Sequence, residues 1–252
     1  MLSNGAPEGG LTHTQVRFFQ DSGYFRLPGL LSPREIEQYK AFVLGEKRRE
    51  DAERQAAGSG PVVKLYGLYD RNRGLMDRLI INPKLVATLW SLLGPNVVFV
   101  TNRHNHATVN DAEGTKDEAR LHRDILQPTR GLITAAVYLE DSTPENGCTR
   151  IVPGSHTLPY VGVPQLNGGG TWMDEHDEFA GLLEQALPVA MPAGSVLLFT
   201  GLAFHGVGLN LSGKTRISMT LGFRAADELD AIPDDSRQVM VTGSQLYRGN
   251  DR

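Results

Sequence analysis

Residues 120–125 read RLHRDI, a histidine and an aspartate one residue apart with apolar flanks. Imidazole and carboxylate are both metal ligands. On an extended strand, side chains i and i+2 leave the same face, so this spacing aims His122 and Asp124 at one point while Arg123 turns away. A third ligand would complete a two-histidine, one-carboxylate facial triad, which holds Fe(II) on one side and leaves the other side open. The best third ligand is His205 in LAFHGVGLN, just after the apolar run SVLLF and among small residues that let a bulky partner approach.

Farther along, TRIS gives Arg216 and Ser218 the same i, i+2 relation. A guanidinium presents a planar fork suited to a carboxylate, and a nearby hydroxyl adds one more hydrogen bond. The pair describes a receptor for the distal carboxylate of 2-oxoglutarate, whose other end chelates the iron.

Other residues compete for these roles. His104 and His106 in RHNH form a second i, i+2 pair of the kind that begins a cupin metal motif, but Val109 and Asn110 stand where that motif wants glutamate. His156 in PGSH sits in a turn setting and reads as structural. His13 and His176 lie in polar surroundings and read as surface residues. The acids Asp174, Glu175, Asp177 and Glu178 beside Trp172 read first as a solvated loop. The sharper reading is a lid whose negative field draws in a cationic substrate, with Trp172 and Asp174 as substrate contacts.

Strands and helices must position these groups. Thr12 followed by Gln15 ahead of VRFF is a capping box, and that short helix stops at Gly23. Ser32, Pro33 and Glu35 open a second helix, and NPKLVATLWSLLG at 82–94 gives a third with an Asn-Pro start and a glycine stop. After Pro95 the texture changes. NVVFVTNRHNHATVN, ARLHRDIL, GLITAAVYLED, GSVLLFTG and TRISMTLGFR read as short strands separated by turn residues. The sequence therefore predicts a mainly β chain of the double-stranded β-helix or jelly-roll class. It reads as one domain over 1–252, with a helical layer over about 11–94, a jelly-roll core over about 95–224 and a tail over 225–252. Residues 158–177, including NGGGTWMDEHDE, form the longest irregular stretch.

Bulk properties exclude several classes. The 252 residues are 40% apolar and 21% charged with a formal net charge of −4, so no basic field serves a nucleic-acid backbone or a membrane surface. The single cysteine, Cys148, rules out an intrachain disulfide, a zinc ribbon and a CxxC redox couple. The opening MLSNGAPEGG lacks the cationic and apolar regions of a signal peptide, so the expected compartment is the cytoplasm.

With FFQDSGYFRLPGLL, LHRD, VYLEDSTPENGCTRIVPGSH, FHGVGLN and TRIS in that order, residues 11–224 resemble the phytanoyl-CoA dioxygenase-like branch of the Fe(II)/2-oxoglutarate oxygenases. The resemblance implies that His122, Asp124 and His205 are iron ligands and that Arg216 with Ser218 binds the C5 carboxylate. It also implies a cosubstrate contact at Asn105. Positions where some relatives carry further polar contacts hold Ile125 and Val207. Halogenases of the wider superfamily replace the carboxylate with a small residue, so Asp124 implies hydroxylation or a related oxidation. The implied reaction uses Fe(II), 2-oxoglutarate and O2 to oxidise an unactivated C–H bond of a small molecule, releasing succinate and CO2. A non-catalytic jelly-roll protein that binds a small ligand is the alternative from another class.

Overall fold

The computed structural model describes residues 7–110, 120–125, 131–158, 180–228 and 235–244. Helix α1 (His13–Ser22) starts where the Thr12 hydroxyl accepts from the Gln15 amide while the Gln15 side chain accepts from the Thr12 amide. It ends at Gly23, whose φ of 81° is one that glycine adopts without a Cβ penalty. The same reciprocal box, Ser32 with Glu35, opens α2 (Pro33–Ala56). Such a cap is worth about 1 kcal/mol. Helices α3 (Leu68–Arg71) and α4 (Arg73–Ile80) follow, and Asn82 then caps α5 (Pro83–Leu93), which stops at Gly94. A single turn, α6 (Ala180–Leu183), comes much later. Among the described residues no helix is long and apolar enough to cross a membrane.

The strands are β1 (Tyr24–Leu27), β2 (Lys64–Tyr66), β3 (Val97–Val100), β4 (Asn105–Asn110), β5 (Ile133–Tyr138), β6 (Thr149–Ile151), β7 (Leu187–Pro188), β8 (Val196–Thr200), β9 (His205–Val207), β10 (Arg216–Ala225) and β11 (Gln238–Thr242). The major sheet runs β1-β8-β5-β10-β3-β11, all antiparallel, with β4 sharing the β10 edge and β2 added outside β4. A smaller sheet, β7-β6-β9, faces it and completes the jelly roll.

Three features differ from the sequence reading. Strands β1 and β2 come from the segment read as helical, and β11 comes from the segment read as tail. The HxD segment is not a ladder strand: His122 makes one isolated antiparallel bridge to His205.

The long strand β10 shows how the core fixes the site. Ile217, Met219, Leu221 and Phe223 point to one face and join the main core, where they pack with Val43, Leu79, Leu85 and Leu89 of the helices. The two-residue period then sends Arg216, Ser218 and Thr220 to the opposite face, between the sheets. A one-residue slip would put the arginine in the core and the aliphatics in the cavity, so burial of the apolar set specifies the register.

Candidate active site

The two histidines are paired through their main chains. The His122 amide donates to the His205 carbonyl at 2.9 Å and the His205 amide to the His122 carbonyl at 3.0 Å. Residues directly opposed in an antiparallel pair present side chains on the same face. The ring centroids accordingly lie 4.5 Å apart. Two residues on, the Asp124 amide donates to the Gly201 carbonyl at 2.8 Å, in the turn leading to β9. The segment is too short for a ladder, yet these bonds hold both of its ligands.

The carboxylate closes the cluster. Asp124 Oδ1 lies 3.6 Å from His122 Nε2, and Oδ2 lies 3.6 Å from His205 Nε2. One ligand atom from each residue falls within 4.8 Å of the others, a spacing that can hold a metal ion. The proton positions agree with this use. His122 Nδ1 is 3.0 Å from the Arg120 carbonyl and His205 Nδ1 is 3.0 Å from the Ala203 carbonyl. A carbonyl only accepts, so each Nδ1 carries the proton and each Nε2 turns a bare lone pair toward Asp124. Burial pushes His205 down to about 4, which keeps it neutral at ordinary pH. Burial opposes ionisation of Asp124, but the imidazoles of His205, His104 and His122 around it outweigh that and hold the carboxyl well below the usual range. A neutral imidazole and an ionised acid are donors that a divalent cation requires, and His205 and Asp124 supply them beside His122.

The cluster lies in a cavity of about 350 Å³ that also holds Arg216 and Ser218. Register builds its wall: Arg216 pairs with Asn110, Ser218 with Thr108 and Tyr138, and Thr220 with His106 and Ala136. All of these residues line the cavity. Arg216 is 2% exposed, and among the described residues its guanidinium has no hydrogen bond or ion pair; Nε is a buried donor without an acceptor. Burial pushes its pKa below the usual value. In the same wall, the Tyr138 hydroxyl meets Thr149 Oγ1 at 2.7 Å.

Not every expected residue reaches this space. The Asn105 side chain accepts from the Tyr69 amide at 3.0 Å and donates to the Thr101 carbonyl at 3.0 Å, and it is absent from the cavity wall. The strand period explains this, because β4 turns His106, Thr108 and Asn110 inward and Asn105, Ala107 and Val109 away. Trp172 and Asp174, with Glu175, His176, Asp177 and Glu178, lie outside the described residues. The His104 and His106 rings are 6.2 Å apart and do not join the ligand cluster. His156 instead ties to the end of α1 through the Gln20 carbonyl at 2.9 Å. Asn110, Thr134, Tyr138 and Thr149 were missed in the sequence, although alternation along HATVN and ITAAVY carries the signal for the first three.

A jelly roll that gathers two histidines, a carboxylate and a buried arginine around one cavity defines a class, the non-haem iron oxygenases. Its fold is shared by the epimerase SnoN, solved in complex with Fe3+, alpha ketoglutarate and nogalamycin RO, at a TM-score of 0.64 and 20% identity over 92% of this chain and 96% of that one. Residues 19–218 match the phytanoyl-CoA dioxygenase (PhyH) family model, and the chain belongs to that family of iron- and 2-oxoglutarate-dependent dioxygenases. Among relatives, L-proline trans-4-hydroxylase of Streptomyces griseoviridis is 25% identical over 92% of each chain. Peroxisomal phytanoyl-CoA dioxygenase of Rattus norvegicus is 24% identical over 93% of this chain and 72% of its own.

Proposed function

We propose that His122, Asp124 and His205 hold Fe(II), that Arg216 with Ser218 receives the far carboxylate of 2-oxoglutarate, and that the protein hydroxylates an unactivated C–H bond of a small molecule. The observation that carries this reading is the Arg216 guanidinium, without a hydrogen bond or ion pair among the described residues, in the same cavity as the His122, Asp124 and His205 cluster. A buried charge without a counter-charge is costly, and an arriving carboxylate removes that cost through paired charge-assisted hydrogen bonds. Ser218, two residues along the same face, is placed to add its hydroxyl.

Iron bound there with 2-oxoglutarate would activate O2 for C–H oxidation as the cosubstrate is converted to succinate and CO2. The chain supplies the rest. Backbone pairing presets the imidazoles, and the ionised Asp124 leaves no ligand position for a halide. The apolar residues Ala136, Phe199 and Val207 in the wall help exclude water. The family model and the relatives named for proline hydroxylation and for a nogalamycin epimerase support an amino-acid-like compound or a specialised metabolite as substrate.

The test starts with anaerobic protein loaded with Fe(II) and 2-oxoglutarate, followed by oxygen. Slow succinate formation without substrate is expected, and it should vanish in His122→Ala. A metabolite panel is then screened by mass spectrometry for gain of one oxygen. Iron and 2-oxoglutarate binding with no succinate across that panel would instead identify a non-catalytic binding protein.

A further inference from the structure

The corner between β3 and β4 grips the acid ligand in a way the metal site alone does not require. Among the described residues His104 is the one non-glycine with positive φ, at 52°. A bulky residue in that region costs on the order of 1 kcal/mol and persists where its surroundings hold it. The room for it comes from β10, where Gly222 stands under the corner. A Cβ built on Gly222 would lie 2.9 Å from the Arg103 carbonyl oxygen and 3.4 Å from His104 Cβ. In register, Gly222 faces Thr134 of β5, which is fully buried. The corner therefore meets β5 and β10 at the point where a side chain is missing.

From that position the corner reaches Asp124 three times, and in one of these His104 Nε2 itself lies 3.5 Å from Asp124 Oδ1. Arg103 Nη1 donates to the Asp124 main-chain carbonyl at 3.1 Å. Thr134 Oγ1 donates to Asp124 Oδ2 at 3.1 Å, and His104 Nδ1 lies 3.2 Å from the same hydroxyl oxygen. A threonine hydroxyl has a single proton. With that proton on the Asp124 bond, Thr134 accepts from His104, whose Nδ1 must carry the hydrogen. The result is a chain from imidazole to hydroxyl to carboxylate that stops Asp124 from rotating about its last side-chain bond.

We infer that His104 and Thr134 are a positioning pair, built into the fold by the Gly222 gap, that fixes the orientation in which Asp124 presents its carboxylate to the metal. This rests on the metal-site reading above. Held through Oδ2, the acid keeps to one oxygen and leaves the open side of the metal for 2-oxoglutarate. Released, it turns and crowds that side.

The probe is Co(II), whose visible absorption reports ligand arrangement without turnover. Thr134→Val should keep Co(II) affinity within about threefold yet change the shape of the Co(II) spectrum and weaken 2-oxoglutarate about tenfold or more. Thr134→Ser, which restores the hydroxyl, should return both. His104→Leu, which removes the Nδ1 contact to Thr134 and also the Nε2 contact to Asp124 Oδ1, should move both in the same direction. Gly222→Ala reaches the same point through the backbone and should reproduce the spectral change, which keeps the test available should Thr134→Val fail to fold. Wild-type spectra and 2-oxoglutarate affinity in both His104→Leu and Gly222→Ala would overturn the pair. Failure of the site reading itself looks different: the wild type would show no Co(II) spectrum, or His122→Ala would bind Co(II) as the wild type does.

Discussion

Two arginines are equally buried, each 2% exposed, and they do opposite things. Arg123 points away from the ligand cluster. Its Nη2 donates to the Ser155 carbonyl at 2.7 Å and the Leu158 carbonyl at 3.1 Å, and the guanidinium lies 4.5 Å from the Phe204 ring centroid. That side chain ties the residue between two ligands to the residue preceding the third. Arg216 has no such partners among the described residues. Burial alone therefore says little about role: the guanidinium whose Nη2 bonds two carbonyls holds the fold, and the one with no such bonds among the described residues is the proposed receptor.

The strongest way to break this contrast is Arg216→Met. Losing the charged pair with the cosubstrate should weaken 2-oxoglutarate by about 100-fold or more, while the melting temperature stays level or rises, because an apolar side chain replaces an unpaired buried charge. Isothermal titration and a thermal scan on one sample decide it. A fall in stability with unchanged binding would make Arg216 a structural residue.

Arg123→Met should show the reverse with a smaller amplitude. Two carbonyls lose a donor, costing on the order of 2 kcal/mol in a urea titration, with 2-oxoglutarate affinity held within about threefold. Equal losses of stability and affinity would merge the two roles.

The smallest effect concerns the other end of the cavity. His205 titrates near 4 in the fold against 6.5 in the unfolded chain, so between those values the unfolded state holds a proton that the native state lacks. Metal-free protein should therefore lose stability as pH falls, with a His205 share of about 1 kcal/mol between roughly pH 7 and pH 5.5, and His205→Gln should make the slope shallower by that share while His104 and His106, which burial also lowers, keep the rest. The lowered Asp124 carboxyl acts in the same direction at still lower pH. A slope left unchanged in His205→Gln would show that His205 is not held neutral by burial.

Much of the fold was legible because its signals are local. The helix starts at Thr12, Ser32 and Asn82 are written in side chains that bond to neighbours a few residues away. The three residues of the proposed metal site stood out because their chemistry is rare and the spacing of His122 and Asp124 periodic. What escaped was non-local. Strands β1 and β2 are four and three residues long and exist through their partners β8 and β4. Asn105 was placed at the site by the family resemblance, but a one-residue phase difference along β4 turned it to the backbone of Tyr69 and Thr101. His104 escaped for a related reason, since nothing in RHNH announces a left-handed residue whose room is supplied by a glycine 118 positions later.

The reciprocal main-chain bonds between His122 and His205 have a practical corollary. The separation of the two imidazoles is dictated by peptide geometry, so it should tolerate replacement of neighbouring side chains. Thr108 and Ala136 line the same cavity. An engineer seeking to retarget this scaffold would diversify those two positions first, reshaping the chamber while leaving its metal-holding hinge untouched.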